Sequence, residues 1–197
     1  MPYPRYSHKP VATAGTASSV VKRNSLRAIS SKRARSATLS GGTIEGDVAN
    51  LGRLSGTGTI AGTVRNAGQA TLGGRVEALQ NLEAGQFAVQ DTLATEAFVN
   101  AGRATIGAGT ALTMADPDAQ AAPVPAQNLA TGTLTVDGRL QGALINAGTL
   151  GGAGVITGSV LNSGSADWAG SIGGGVTSQG ALARSGGSIA GGLVNES

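Results

Sequence analysis

A 16-residue repeat is the feature that most constrains what this chain can fold into. Residues 50–65 and 146–161 both read N-x-G-x-L-x-G-x-G-x-I-x-G-x-V-x. Further full or partial units begin at Asn66, Asn100, Ala130, Asn162 and Ser178. A chain that repeats one unit at a fixed period stacks those units on each other, because a single unit cannot bury its own apolar face. The repeat therefore predicts a solenoid.

Within each unit, large apolar residues alternate with polar ones. Leu54, Ile60 and Val64 fall on even positions, and the Ser, Thr and Arg residues between them fall on odd positions. A period of two is typical of a strand with one buried face. Because the inward positions recur in every coil, strands of neighbouring coils pair in parallel. We predict an all-β fold, a right-handed parallel β-helix (β-solenoid) of about nine coils of 16–17 residues. The residues predicted to face inward are Leu54, Ile60, Val64, Leu134, Leu140, Leu144, Leu150, Ile156 and Val160.

An asparagine opens most of the units. The five are Asn50, Asn66, Asn100, Asn146 and Asn162. We expect them to stack at one corner, either bonding amide to amide or capping a turn. The interval between Asn66 and Asn100 fits two coils of equal length, with Glu83 in the asparagine slot and Gly85 and Phe87 following it.

Glycine is the most informative part of the composition, with 33 residues among 197. So much glycine argues against a helical bundle, and the absence of cysteine excludes a disulfide scaffold and thiolate metal sites. Within the repeat, glycine permits corners with positive φ and lets backbones approach closely. We prefer this structural interpretation to a glycine-lined ligand channel.

Charge divides the chain into two parts. Residues 1–36 contain eight of the fourteen Lys and Arg residues and no acid. Residues 37–197 contain six Arg and eleven acidic residues, a net charge of −5. We predict a disordered basic N-terminal arm over 1–34, dispensable for folding, and the solenoid over 35–197. No basic surface is predicted on the solenoid, so no nucleic-acid partner is expected.

A Pro- and Ala-rich segment at 115–128 interrupts the repeat. Its three prolines have no N–H to donate to a central strand ladder, so we predict a loop that leaves the rod at a corner. Asp116 and Asp118 within it fit either a cation-binding or catalytic pair or a solvated insertion, and we favour the insertion.

The remaining sequence offers little chemistry. The single histidine, His8, lies in the arm, so the solenoid has no histidine-based triad or zinc site. The acids are scattered, apart from Glu45 with Asp47 and the pair in the 115–128 loop. We predict no catalytic, cofactor-binding or metal-binding residues, no cofactor and no enzyme activity, and we place Trp168 in the core.

The repeat resembles a known class of sequences. Residues 54–68 (LSGTGTIAGTVRNAG), their copy from Leu150, and residues 132–138 (GTLTVDG) resemble the passenger domains of bacterial autotransporters and related adhesins. The resemblance covers about 160 residues. It implies a right-handed parallel β-helix, export through the cell envelope, and display at the bacterial cell surface or secretion.

The same resemblance implies partners and missing parts. A host-surface or polysaccharide receptor is expected. No signal peptide and no outer-membrane barrel strands are visible in this chain, so we expect it to be a passenger fragment whose membrane barrel lies elsewhere.

Two other functions stay open at this stage. One is a cytoplasmic self-assembling β-solenoid, similar to bactofilins. Open coil edges and the lack of a visible signal peptide favour it. Such edges also predict end-to-end self-association. The other is a β-helix carbohydrate-active enzyme, which an acidic cluster on one face of the solenoid would favour.

Overall fold

The computed structural model describes residues 19–22, 26–31, 36–115 and 123–196. The regular structure in these residues is β-strand. The strands are β1 (Ser19–Lys22), β2 (Leu26–Ser31), β3 (Ser36–Asn50), β4 (Arg53–Asn66), β5 (Gln69–Asn81), β6 (Gln86–Asn100), β7 (Arg103–Ile106), β8 (Ala111–Met114), β9 (Ala126–Asn128), β10 (Thr133–Val136), β11 (Arg139–Gln141), β12 (Leu144–Asn146), β13 (Thr149–Gly152), β14 (Val155–Ile156), β15 (Val160–Asn162), β16 (Ser165–Trp168), β17 (Ser171–Ile172), β18 (Val176–Ser178), β19 (Ala181–Arg184), β20 (Ser188–Ile189) and β21 (Leu193–Asn195). No helix long and apolar enough to cross a membrane occurs in the described part of the chain.

The strands stack as a parallel β-solenoid of about nine turns, as the repeat predicts. In the C-terminal half each coil has three short strands; β13, β14 and β15, for example, pair in parallel with β16, β17 and β18 of the next coil. In β3 to β6 the corresponding segments form one long strand per coil. The coil thus has three faces. The first face contains β7, β10, β13, β16 and β19, the second contains β8, β11, β14, β17 and β20, and the third contains β9, β12, β15, β18 and β21.

The core lies between the three faces. All nine side chains predicted to face inward are buried, each at most 3% exposed. Burying one such aliphatic side chain contributes about 1.5–3 kcal/mol, so stability accumulates coil by coil. Trp168 is also buried, as predicted. The rings of Phe87 and Phe98 pack at a centroid distance of 5.9 Å.

A chain of buried asparagine amides runs along one corner. Its members are Asn50, Asn66, Asn81, Asn100, Asn128, Asn146 and Asn162. The Nδ2 atom of each donates to the Oδ1 atom of the next at 2.7 Å. At the last step Asn162 donates to the Ser178 hydroxyl at 3.1 Å. The predicted stacking of five asparagines is confirmed, and two more join them. We call this set the asparagine ladder.

The assignment of Glu83 to the asparagine slot is wrong. Asn81 occupies that slot, pairing in register with Asn66 and Asn100, and Glu83 is exposed. The two coils between Asn66 and Asn100 are therefore unequal. The second absorbs its extra residues partly in a turn at the corner, where the Gly85 N–H donates to the Leu82 carbonyl at 2.7 Å. The two residues predicted to follow, Gly85 and Phe87, do lie in their expected slots, since β6 pairs Phe87 with Ala70.

The predicted loop over 115–128 is too long at its C-terminal end. Residues 126–128 form β9, which pairs with β6 and β12 on the third face. Asn128 belongs to the asparagine ladder because it completes this strand. Residues 123–125, which include two of the three prolines, precede β9 outside any strand. Residues 116–122, with Asp116 and Asp118, lie outside the described residues.

Part of the predicted N-terminal arm is also strand. β1 and β2 fall within residues 1–34, and their backbones pair in parallel with β3. The first complete coil otherwise presents a row of unpaired N–H and C=O groups, which these strands satisfy. The other residues of the predicted arm, including His8, lie outside the described residues.

Glycine allows the coils to stack closely. At Gly148, a Cβ atom would overlap the carbonyl oxygens of Leu129 and Gly132 in the preceding coil. At Gly56, φ is +117° and a Cβ atom would overlap the carbonyl oxygen of Leu39. The structural interpretation of the glycine slots is therefore correct, and the close approach is between successive coils.

Candidate functional site

Two outward rows of polar side chains run along the first face. The first row, which we call the arginine–glutamine row, has one residue in each of four successive coils: Arg53, Gln69, Gln86 and Arg103. The second, the hydroxyl row, lies two positions further along each strand and contains Ser55, Thr71, Ala88, Thr105 and Thr135. The residues between the two rows point into the core, because side chains alternate along a strand.

A groove separates the two rows. One part of it has a volume of about 310 Å³, and its lining includes Gln69, Thr71, Gln86, Ala88, Arg103 and Thr105. A second hollow of about 330 Å³ continues it toward Arg53 and Ser55. Ala88 is the one residue of the hydroxyl row without a hydroxyl group. Its small side chain leaves a notch between Thr71 and Thr105, and we call the whole depression the polar groove.

The groove contains two arginines that form no ion pair with a described residue. The two ion pairs between described residues, Arg65–Asp47 and Arg75–Glu96, involve neither groove arginine. Arg53 donates from Nε to the Gln69 side-chain oxygen at 2.9 Å, which fixes its guanidinium along the row. All four members of the arginine–glutamine row are exposed.

One acidic side chain lies near the groove. Glu83 lines a hollow of about 220 Å³ at the corner, together with Gln86, Arg103, Thr131 and Thr133. The outward positions of both rows continue along the first face, from Ser36 at one end to Gly151 at the other. No described residue in these positions is acidic. The next carboxylate on this face is Asp167, which pairs with Gly151.

This arrangement suits hydrogen bonding. Guanidinium groups present donors in a fixed fork that matches a carboxylate, amides both donate and accept, and hydroxyls do the same. The polar groove therefore offers a ligand rich in oxygen atoms two charged donors, with two neutral amides between them and hydroxyls alongside.

The acids do not gather elsewhere in the described structure. No group of three or more His, Asp or Glu side chains is close enough to hold a metal ion there. Asp47, one of the two acids of the first complete coil, accepts a hydrogen bond from the Thr63 backbone N–H at 2.8 Å and pairs with Arg65 at 3.6 Å. The carboxylate pair of the 115–128 loop lies outside the described residues.

No site residue is predicted from the sequence, and the polar groove is not predicted either. The signal that could have located the groove is the sequence of first outward residues in successive coils, which reads R-Q-Q-R. It is present in the predicted register, because Gly85 and Phe87 lie in their expected slots and so place Gln86 beside Gln69. The chain matches no protein-family model, no curated protein and no solved structure.

Proposed function

We propose that this chain is a surface-displayed or secreted structural segment with an adhesin-like role, of the autotransporter passenger type. The observation that supports the proposal most strongly is the polar groove, whose residues lie in register in successive coils of the rod. About nine coils at about 4.8 Å each give a length on the order of 40 Å. Such a rod holds a binding face at a fixed distance and orientation from whatever anchors it.

The construction of the rod suits this role. Each coil is held to the next by backbone pairing, by a layer of aliphatic side chains and by one bond of the asparagine ladder. The outward side chains lie outside the aliphatic layer and the asparagine ladder, so they can serve recognition without disturbing the core. Repeated weak contacts along one face add up in avidity, because later contacts form at high effective concentration.

The proposal is tested by locating the protein on intact cells of the organism that makes it. An antibody against the solenoid should label unpermeabilised cells or detect the protein in the medium. External protease should remove the cell-bound signal while a cytoplasmic marker stays intact. Labelling that requires permeabilisation would contradict surface display and would favour the cytoplasmic alternative.

A second candidate function is self-assembly, as in a bactofilin-like polymer. Leu193 and Val194 of β21 are 47% and 53% exposed, so this coil presents apolar side chains to solvent in the isolated chain. Burial against a second copy would stabilise end-to-end association.

Sedimentation at rising protein concentration tests this association. Association that disappears in Leu193→Lys but persists in Leu161→Lys, a change at an exposed leucine in the middle of the third face, would support it. A monomer at all concentrations would contradict it.

A further inference from the structure

We propose that the polar groove binds a polysaccharide of acidic sugars, with sugar carboxylates paired to Arg53 and Arg103. The inference deepens the proposed adhesin-like function and rests on it. The occupant follows from charge, from hydrogen-bonding chemistry and from the spacing of the two arginines.

Charge complementarity points to an anion. The solenoid as a whole is acidic, since residues 37–197 have a net charge of −5. Against this background the groove contains two exposed guanidinium groups, and neither forms an ion pair with a described residue. A carboxylate accepts two parallel N–H bonds from one guanidinium, a geometry that a neutral hydroxyl does not match.

The groups between the two arginines point to a sugar. Gln69 and Gln86 each present an amide, and Thr71 and Thr105 each present a hydroxyl across the groove. These groups donate and accept in the manner that vicinal sugar hydroxyls require. A bare inorganic anion only accepts hydrogen bonds, so it would leave the acceptor oxygens of these amides and hydroxyls unused.

The spacing points to a polymer. Arg53 and Arg103 lie three coils apart along the rod, a separation of about 14 Å at about 4.8 Å per coil. A single sugar ring does not span that distance, whereas a short run of linked sugars lying along the axis meets one member of the arginine–glutamine row in each coil. The notch at Ala88 gives one ring room to lie against the sheet between Thr71 and Thr105.

The test measures binding of the full 197-residue chain to polygalacturonate, with dextran of similar length as the neutral comparison. The basic residues of 1–36 add the same background attraction to every variant. The key variant is Arg53→Gln with Arg103→Gln. Its matched control is Arg65→Gln with Arg139→Gln, which removes the same charge from exposed arginines outside the groove. Ala88→Phe fills the notch without changing the charge.

We expect the groove pair to weaken polygalacturonate binding by at least about tenfold, a loss of about 1.4 kcal/mol, because it removes both guanidinium groups that pair with sugar carboxylates. The control pair should change binding by less than about twofold, as expected for screened charges that touch no ligand. Ala88→Phe should weaken binding although every arginine remains. Circular dichroism and thermal melting should show that all three variants keep the fold.

Three results would overturn the inference. Equal losses in the groove pair and the control pair would assign binding to overall charge. Equal affinity for dextran and polygalacturonate, or no affinity for polygalacturonate, would exclude acidic sugars as the ligand of the groove. A larger loss of dextran sulfate binding than of polygalacturonate binding in the groove pair would exclude a preference of the groove for carboxylates. None of these bears on where the protein resides, so the labelling of intact cells tests the proposed function separately.

Discussion

Asn100 and Asn128 are 28 positions apart in the sequence, yet the Nδ2 atom of Asn100 donates to the Oδ1 atom of Asn128 at 2.7 Å. The chain between them contains β7, β8 and residues 116–122. The register of the coils is therefore the same on both sides of the interruption. The asparagine ladder joins the N-terminal and C-terminal coils into one rod.

Replacing Asn128 by Ala should lower the free energy of unfolding by about 1–3 kcal/mol, the cost of leaving buried polar groups unsatisfied. Asn128 accepts from Asn100 and donates to Asn146 and to the carbonyls of Gly132 and Thr149. Urea unfolding measures the change. Gln127→Ala, at the neighbouring outward position, serves as the control and should change stability by less than about 0.5 kcal/mol. Equal effects of the two substitutions would show that the ladder contributes nothing specific.

Replacing Ile156 by Asp should abolish cooperative folding of several coils. The side chain is fully buried, and an unpaired carboxylate in a thin apolar core has no partner and no access to water. Val155→Asp places the same charge one position away on the outward side of β14, and it should leave the melting temperature within a few degrees of the native value. Thermal melting followed by circular dichroism distinguishes the two. An unchanged melting curve for Ile156→Asp would contradict the assigned inward face.

Replacing Gly56 by Ala should destabilise the solenoid by about 2 kcal/mol or more. The residue has φ of +117°, and the added Cβ atom would meet the backbone of Leu39 in the neighbouring coil. Gly107→Ala is the matched control, because a Cβ atom there meets nothing within 4 Å. Chemical unfolding should therefore separate the two alanine variants clearly. Similar stabilities would mean that the coils pack less closely around Gly56 than described.

Strand β2 should protect its amides from hydrogen exchange. Its backbone pairs with β3 from Leu26 to Ser31, with one irregularity between Arg27 and Ile29. Amides bonded in a ladder exchange only when the ladder opens, so we expect slower exchange than in an unstructured chain. Mass spectrometry of peptides covering 26–31 provides the measurement. Exchange at the rate of a free peptide would instead support the disordered arm predicted from the sequence.

The sequence predicted the strand periodicity and the core well, because the same few positions must be apolar in every coil. It failed where a corner changed length. Asn81 and Asn128 were missed because each precedes its glycine by four residues, whereas the other ladder asparagines precede theirs by two. Both corners read N-L-x-x-G, and in both the glycine N–H donates to the leucine carbonyl, for example Gly132 to Leu129 at 2.8 Å. The insertion is absorbed as a turn, a solution that the repeat alone does not reveal.

The polar groove escaped prediction for a different reason. Gly85 and Phe87 were predicted in their correct slots, so the predicted register already placed Ala88 beside Thr71 and Thr105. The error at Glu83 was confined to the corner, and the core prediction survived it. A depression between two outward rows depends on the sizes and contacts of exposed side chains, which the repeat alone does not reveal.

The measurement that tests the account most directly is disulfide formation across that register. The chain has no cysteine, so engineered pairs report without background. Thr105 and Thr135 are paired in the ladder across the interruption, and Thr133 lies two residues out of register on the same face. Paired parallel strands are about 4.8 Å apart, within the range that a disulfide bridges. We predict rapid intramolecular oxidation of Thr105→Cys with Thr135→Cys, and slow or no oxidation of Thr105→Cys with Thr133→Cys. Equal rates, or a preference for the second pair, would contradict the stacked register on which the asparagine ladder and the polar groove both depend.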